Sequence, residues 1–208
     1  MAKKEMRIMG KPKVPVISAI ILALALILGS IGLACGTKPT TTVAPGMPAN
    51  YTTYTDESGL FSISYPADWE KVLSQAPSGL PIKEETLVFF SGKRGITYDP
   101  YVNIALEPVP AGVSTNDQMI GSQIQSLKKA CPDYQELSRV KTIFNGKEAT
   151  ILEWEGTAPG GQGKSYCRQL YILTDKAIWV VTCSTTPEES AQWQNDFNTI
   201  FRSLRISD

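Results

Sequence analysis

Between Ser138 and Cys183 the chain offers strand after strand, joined by turns too short to hold a crossover helix. SRVKTIFNGKEATILEW (residues 138–154) places Asn145-Gly146 between two β-favouring runs. Asn-Gly accepts the positive φ angles of a type I′ turn, so the two runs read as a hairpin. SYCRQLYIL (165–173) and AIWVVTC (177–183) flank Thr174-Asp175-Lys176 as a second hairpin. A parallel neighbour would need a connection of about a dozen residues or more. This half of the chain is therefore expected to build an antiparallel sheet.

The rest of the pattern supplies more strands and two helices. LFSISYP (60–66) alternates, with Phe61, Ile63 and Tyr65 on one side and Ser62 and Ser64 on the other, and Trp69 follows after a short turn. That is a half-buried strand ended by proline. TLVFF (86–90) and YVNIALEPV (101–109) are two further strands. Ile120, Ile124, Leu127 and Cys131 then recur at helical spacing, with Thr115 and Gln118 placed for a capping box and Pro132 as the stop. At the C-terminus Thr186 is placed to cap, Pro187 suits a first helical position, and Glu188 and Glu189 suit the positive end of a helix dipole. Trp193, Phe197, Ile200, Phe201 and Leu204 form the apolar stripe of that helix. Strands, helix, two hairpins and helix together predict an α+β fold, an antiparallel β-sheet flanked by helices.

The N-terminus has a different character. Lys3, Lys4, Arg7, Lys11 and Lys13 precede Val14–Ala34, a run of 21 residues without a charge. A basic stretch before an apolar run is the pattern of a secretory signal or a membrane anchor, and about 20 apolar residues suffice to span a bilayer. The positive-inside rule puts everything after Ala34 on the extracytoplasmic side. GLACG then places Cys35 as at a bacterial lipoprotein cleavage site, where the new N-terminal cysteine carries the lipid. Ala34 suits the peptidase; Gly32 stands where leucine is usual and Leu33 where a small residue is usual. Lipidation at Cys35, a retained anchor and ordinary cleavage are the three outcomes, and all export the remainder. Residues 1–34 are thus read as signal peptide or anchor. Residues 35–53, rich in Thr and Pro, are read as a disordered tether, and 54–208 as the folded domain.

Charge and composition narrow the function. Five of the 20 basic residues and one of the 20 acidic residues (Glu5) precede Cys35, so the remainder carries 15 against 19, a formal charge of −4. A mildly acidic exported domain lacks the basic footprint of a nucleic-acid binder. The chain has no histidine, which removes His-dependent triads and the most common general base. Ser126/Lys129 and Ser138/Lys141 have S-x-x-K spacing without the partner motifs of serine/lysine acylases.

Residues 158–165, APGGQGKS, fit a loose phosphate-loop pattern around Lys164 and Ser165. A phosphate loop needs a helix after it, and SYCRQLYIL is β-favouring. The stretch is therefore expected to be an exposed hairpin loop that is less ordered at 159–163, with no nucleotide. Glu153 and Glu155 point to one side of their strand and are weak candidates for a metal or small ligand; a solvated strand face is the plainer reading. If Cys35 carries lipid, Cys131, Cys167 and Cys183 remain. Cys131 falls on a helix stripe and reads as a buried thiol. A three-residue turn centred on Asp175 would set Cys167 opposite Cys183 and allow a disulfide; a two- or four-residue turn would point them to opposite faces.

SGLFSISYPADWEK resembles the opening signature of PsbP-like domains, F-x-[IV]-x-[YF]-P-x-x-W, met by Phe61, Ile63, Tyr65, Pro66 and Trp69. The Asn145–Leu152 turn and strand and the final amphipathic helix are similar in order and spacing, so the resemblance spans roughly residues 54–206. It implies an α-β-α sandwich. Named members of the family are extrinsic subunits of the oxygen-evolving complex of photosystem II and related assembly factors, and many bacterial relatives are lipoproteins without an assigned activity. The family's proposed metal contacts include histidine, which this chain lacks, and no functional residue is carried over. The expectation is a membrane-tethered, non-enzymatic extracytoplasmic binding or assembly module with a protein partner and no cofactor. The alternative is a metal- or small-ligand-binding accessory subunit of a membrane complex.

Overall fold

The computed structural model describes residues 46–72, 86–93, 99–157 and 163–207. Residues 1–34, Cys35 and most of the expected tether lie outside them. Among the described residues no helix is long and apolar enough to cross a membrane.

The larger sheet has seven antiparallel strands. In chain order they are β3 (Glu70–Lys71), β4 (Thr86–Ser91), β5 (Tyr101–Glu107), β6 (Gln135–Phe144), β7 (Lys147–Gly156), β8 (Ser165–Leu173) and β9 (Ile178–Thr185). They lie in the spatial order β3-β4-β5-β9-β8-β7-β6. A second sheet, β1-β2-β10, combines β1 (Tyr51–Thr55), β2 (Phe61–Pro66) and β10 (Arg205–Ile206). β1 therefore takes in Tyr51–Thr53, which the sequence pattern places in the tether.

Two helices complete the fold, α1 (Asn116–Ala130) between β5 and β6 and α2 (Ser190–Ser203) after β9. Strand alternation sends side chains to two separate cores. Val102, Ile104, Leu170, Ile172 and Val181 pack with Phe61 and Ile63 of β2 and with Trp193, Phe197 and Ile200 of α2. Leu152, Trp154, Tyr171, Ile178 and Val180 face the other way and pack under Met119, Ile120 and Ile124 of α1. The larger sheet is thus covered by α2 and the small sheet on one face and by α1 on the other.

Local chemistry explains the element ends. Thr115 Oγ1 accepts from the Gln118 N–H at 3.3 Å, and Gln118 Oε1 accepts from the Thr115 and Ser114 N–H groups at 3.2 and 2.9 Å. This is the reciprocal capping box that the spacing predicts. Asn145 and Gly146 adopt φ of 49° and 78°, the positive values of a type I′ turn.

Two expectations are corrected. Ser64, on what reads as the outer side of β2, is buried, because its N–H donates to Ser203 Oγ of α2 at 2.8 Å. The C-terminal helix opens with a 3₁₀ turn at Pro187–Glu189 and becomes α-helical only at Ser190. Thr186 precedes that turn without a side-chain cap bond, consistent with the tighter winding at helix starts.

Candidate functional site

The phosphate-loop stretch links two antiparallel strands. β7 ends at Gly156, β8 begins at Ser165, and the two pair directly. A strand and not a helix follows Lys164, so the helix dipole that would favour phosphate is missing there. The expected loop at 159–162 lies outside the described residues. Lys164 itself forms an ion pair with Glu155 at 2.9 Å.

Glu153 and Glu155 do share a face, and both meet cations there. Glu153 lies 3.2 Å from Arg168 Nε, with side-chain exposures of 21% and 13%. Nε is not aligned for a hydrogen bond, so this is a charge contact. Arg168 also donates from one terminal nitrogen to Gln194 Oε1 at 2.6 Å and lies 5.8 Å from the centre of the Phe201 ring. Gln194 in turn donates to the Tyr166 hydroxyl at 2.6 Å. The group ties β7 and β8 to α2. Among the described residues no cluster of three Cys, Asp or Glu side chains is arranged to hold a metal ion.

The cysteine expectation is overturned. Leu173 pairs with Ile178, which leaves four residues in the turn, so Cys167 faces Ser184 and Cys183 faces Arg168. The two thiols therefore point to opposite faces of the sheet, one into each core. Cys131, Cys167 and Cys183 are all free and buried. Burial pushes the Cys167 thiol up to about 12 and Cys183 well above the usual thiol range. Neither forms a thiolate nucleophile near neutral pH.

One residue of each S-x-x-K pair has a structural role as well. Ser126 Oγ donates to the Ser122 carbonyl at 3.2 Å, and Lys141 Nζ pairs with Asp117 at 2.6 Å. Glu107 accepts from Gln123 Nε2 at 2.7 Å.

Sequence reasoning missed a surface at the start of α1. Two clefts of about 200 and 440 Å³ adjoin there and share Asn116 and Glu148. Asn116 is 5% exposed and donates from Nδ2 to Thr150 Oγ1 at 2.7 Å. Its Oδ1 is buried without a partner. Lys141 and Ile143 of β6 border the smaller cleft, and Asp175 of the β8–β9 turn borders the larger. No local motif marks this site, since its residues come from three segments far apart in sequence.

No protein-family model matches the chain, and no curated protein matches its sequence. Solved structures do match its fold. The cyanobacterial PsbP protein of Synechocystis sp. PCC 6803 superposes with a TM-score of 0.57 at 13% identity, covering 82% of this chain and all of that one. A Pseudomonas aeruginosa protein of unknown function, PA94, gives 0.53 at 15% identity, covering 76% and 99%. LpqN of Mycobacterium tuberculosis, described as involved in cell envelope biogenesis, gives 0.50 at 13% identity, covering 80% and 89%. The chain has a PsbP-like α+β fold, as its opening signature implies.

Proposed function

We propose that this chain is a membrane-tethered extracytoplasmic binding or assembly module that works without catalysis. The observation that carries this reading is the joining of a basic-then-apolar N-terminus, ending at Cys35, to a PsbP-like domain. The likeness to LpqN, a protein of cell envelope biogenesis, supports an envelope setting. Most of the residues that chemistry would use are engaged within the fold. Ser126 and Lys141 bond within the fold, Glu153 and Glu155 face cations, and the three described thiols are buried.

A metal-binding accessory role would need Glu153 and Glu155 free, and both stand in ion pairs. Calorimetry of the full-length protein against Ca²⁺ and Mn²⁺ is expected to show no saturable heat at this pair. Cross-linked pull-down of the tethered protein from intact membranes should recover a defined envelope partner. Robust hydrolase turnover by the purified protein, abolished by one serine or carboxylate change, would overturn the reading.

A further inference from the structure

We infer that β6 is a self-association edge: two copies of this chain pair their β6 strands antiparallel about a two-fold axis at Thr142, joining their larger sheets into one. Among the described residues β6 has β7 on one side and no strand on the other. In an antiparallel ladder alternate residues turn their N–H and C=O groups away from the neighbour, so the outer side of β6 presents a row of backbone donors and acceptors. α1 packs chiefly on β7 and β8, and α2 on β2, β8 and β9. No residue of β6 is buried. Of the five large hydrophobic side chains that stand exposed among the described residues, Leu137, Val140 and Ile143 lie on this one strand.

The order of side chains along β6 selects both the occupant and the register. A bulge at Leu137 interrupts the ladder between Glu136 and Ser138, which leaves Ser138–Phe144 as the regular part of the edge. Antiparallel strands pair outward-turned residues with one another, so the axis of a symmetric pair falls on a residue and not between two. An axis at Ser138 runs the ladder into the bulge. An axis at Arg139 or Lys141 sets that cation opposite its own copy, and an axis at Val140 sets Arg139 opposite Lys141. Like charges directly opposite destabilise a sheet. An axis at Ile143 leaves a ladder only from Thr142 to Phe144. An axis at Thr142 meets none of these objections. On one face it pairs Val140 with Phe144 at each end and Thr142 with Thr142 at the centre; β-branched–aromatic and Thr–Thr pairs are favourable across strands. On the other face Lys141 meets Ile143, whose ladder partner Glu148 is an exposed acid one strand further on. The two Lys141 side chains lie diagonal to each other, and each is paired with Asp117 of its own chain at 2.6 Å. Val140–Phe144 is thus its own complement. A ladder of that length is short beside a standard interface, so the dimer is weak and depends on concentration.

The inference goes beyond the binding reading and does not rest on it. The test is oxidative cross-linking of the purified full-length protein in mild detergent over a range of concentrations, with Thr142→Cys and Val140→Cys as separate variants. Both positions are outside the core, and the three described native thiols are buried. At the axis the introduced sulfurs face each other; at Val140 they lie about 13 Å apart along the edge, beyond the reach of a disulfide. The expected result is a concentration-dependent covalent dimer with Thr142→Cys, while Val140→Cys and the parent chain stay monomeric. Adding Val140→Lys, which acts at both ends of the symmetric ladder, should lower the Thr142→Cys dimer yield by about fivefold or more with an unchanged circular dichroism spectrum. No dimer with Thr142→Cys, equal dimer with both variants, dimer with Val140→Cys alone, or full yield after adding Val140→Lys would overturn the inference. Cross-linking of Thr142→Cys in cells to a protein of another mass, without a dimer, would give the edge to that protein and overturn it as well. A partner recovered in the membrane pull-down from a chain that forms no such dimer would leave the binding reading standing.

Discussion

Arg168 ties the edge half of the sheet to the C-terminal helix through Glu153, Gln194 and the Phe201 ring. Removing one partner strands the other in a mostly buried setting, so Glu153→Gln should lower stability by about 1–3 kcal/mol. A Glu153→Leu/Arg168→Leu double variant should lose less than the two single losses added together, which chemical denaturation would measure. Gly92 offers a steric counterpart, because an added Cβ there would sit 2.7 Å from the Trp69 indole nitrogen. Gly92→Ala should cost about 1–3 kcal/mol by overpacking. The buried thiols set an alkaline limit. Cys167 is raised from 9.0 to about 12, so the fold favours its protonated form. Its contribution is complete below about pH 9 and is lost as pH rises towards about 12. Tyr134 and Tyr166, both pushed up to about 12 by burial, add to the loss above pH 10. Melting temperature should therefore decline through this window, with a shallower early decline in Cys167→Ser. A flat profile to pH 11 would contradict the burial of these groups.

At the scale of elements, the signals that were legible are those whose chemistry is local. Asn145-Gly146 specified its own turn because few other pairs accept two positive φ angles. Gly146→Ala should thus destabilise the β6–β7 hairpin by about 1 kcal/mol. Thr115→Ala, which removes the α1 cap, should cost about as much, and a matching loss of helical ellipticity would locate it. The stripe from Trp193 to Leu204 was legible for a similar reason, since all five residues are buried as their spacing implies. Register was not legible. Thr174-Asp175-Lys176 is the natural three-residue reading of the turn, and Ala177 joins it through its bonds to Thr174. That one extra residue turns Cys167 and Cys183 away from each other. Alkylation of the unfolded, unreduced protein should therefore modify Cys131, Cys167 and Cys183 alike, whereas a protected pair would show a bridge. The burial of Ser64 and the pairing of β10 with β2 are contacts made by chain ends far apart in sequence, which no local pattern encodes.

For the whole molecule, the antiparallel arrangement and the two covering helices followed from hairpin spacing and amphipathic stripes, and the likeness to solved PsbP-like structures agrees with them. The cleft at the start of α1 became visible only once β5, β7 and the β8–β9 turn were brought together. The proposed function depends on where the domain resides, so the most direct measurement is of topology. Proteinase K added to intact spheroplasts should cut in the Thr/Pro-rich segment ahead of Tyr51 and release a folded fragment running from about residue 50 to the C-terminus. That result follows from a domain held outside the membrane by its N-terminus, whether by lipid on Cys35 or by a retained helix. A chain that stays uncut until the cells are lysed would contradict the account.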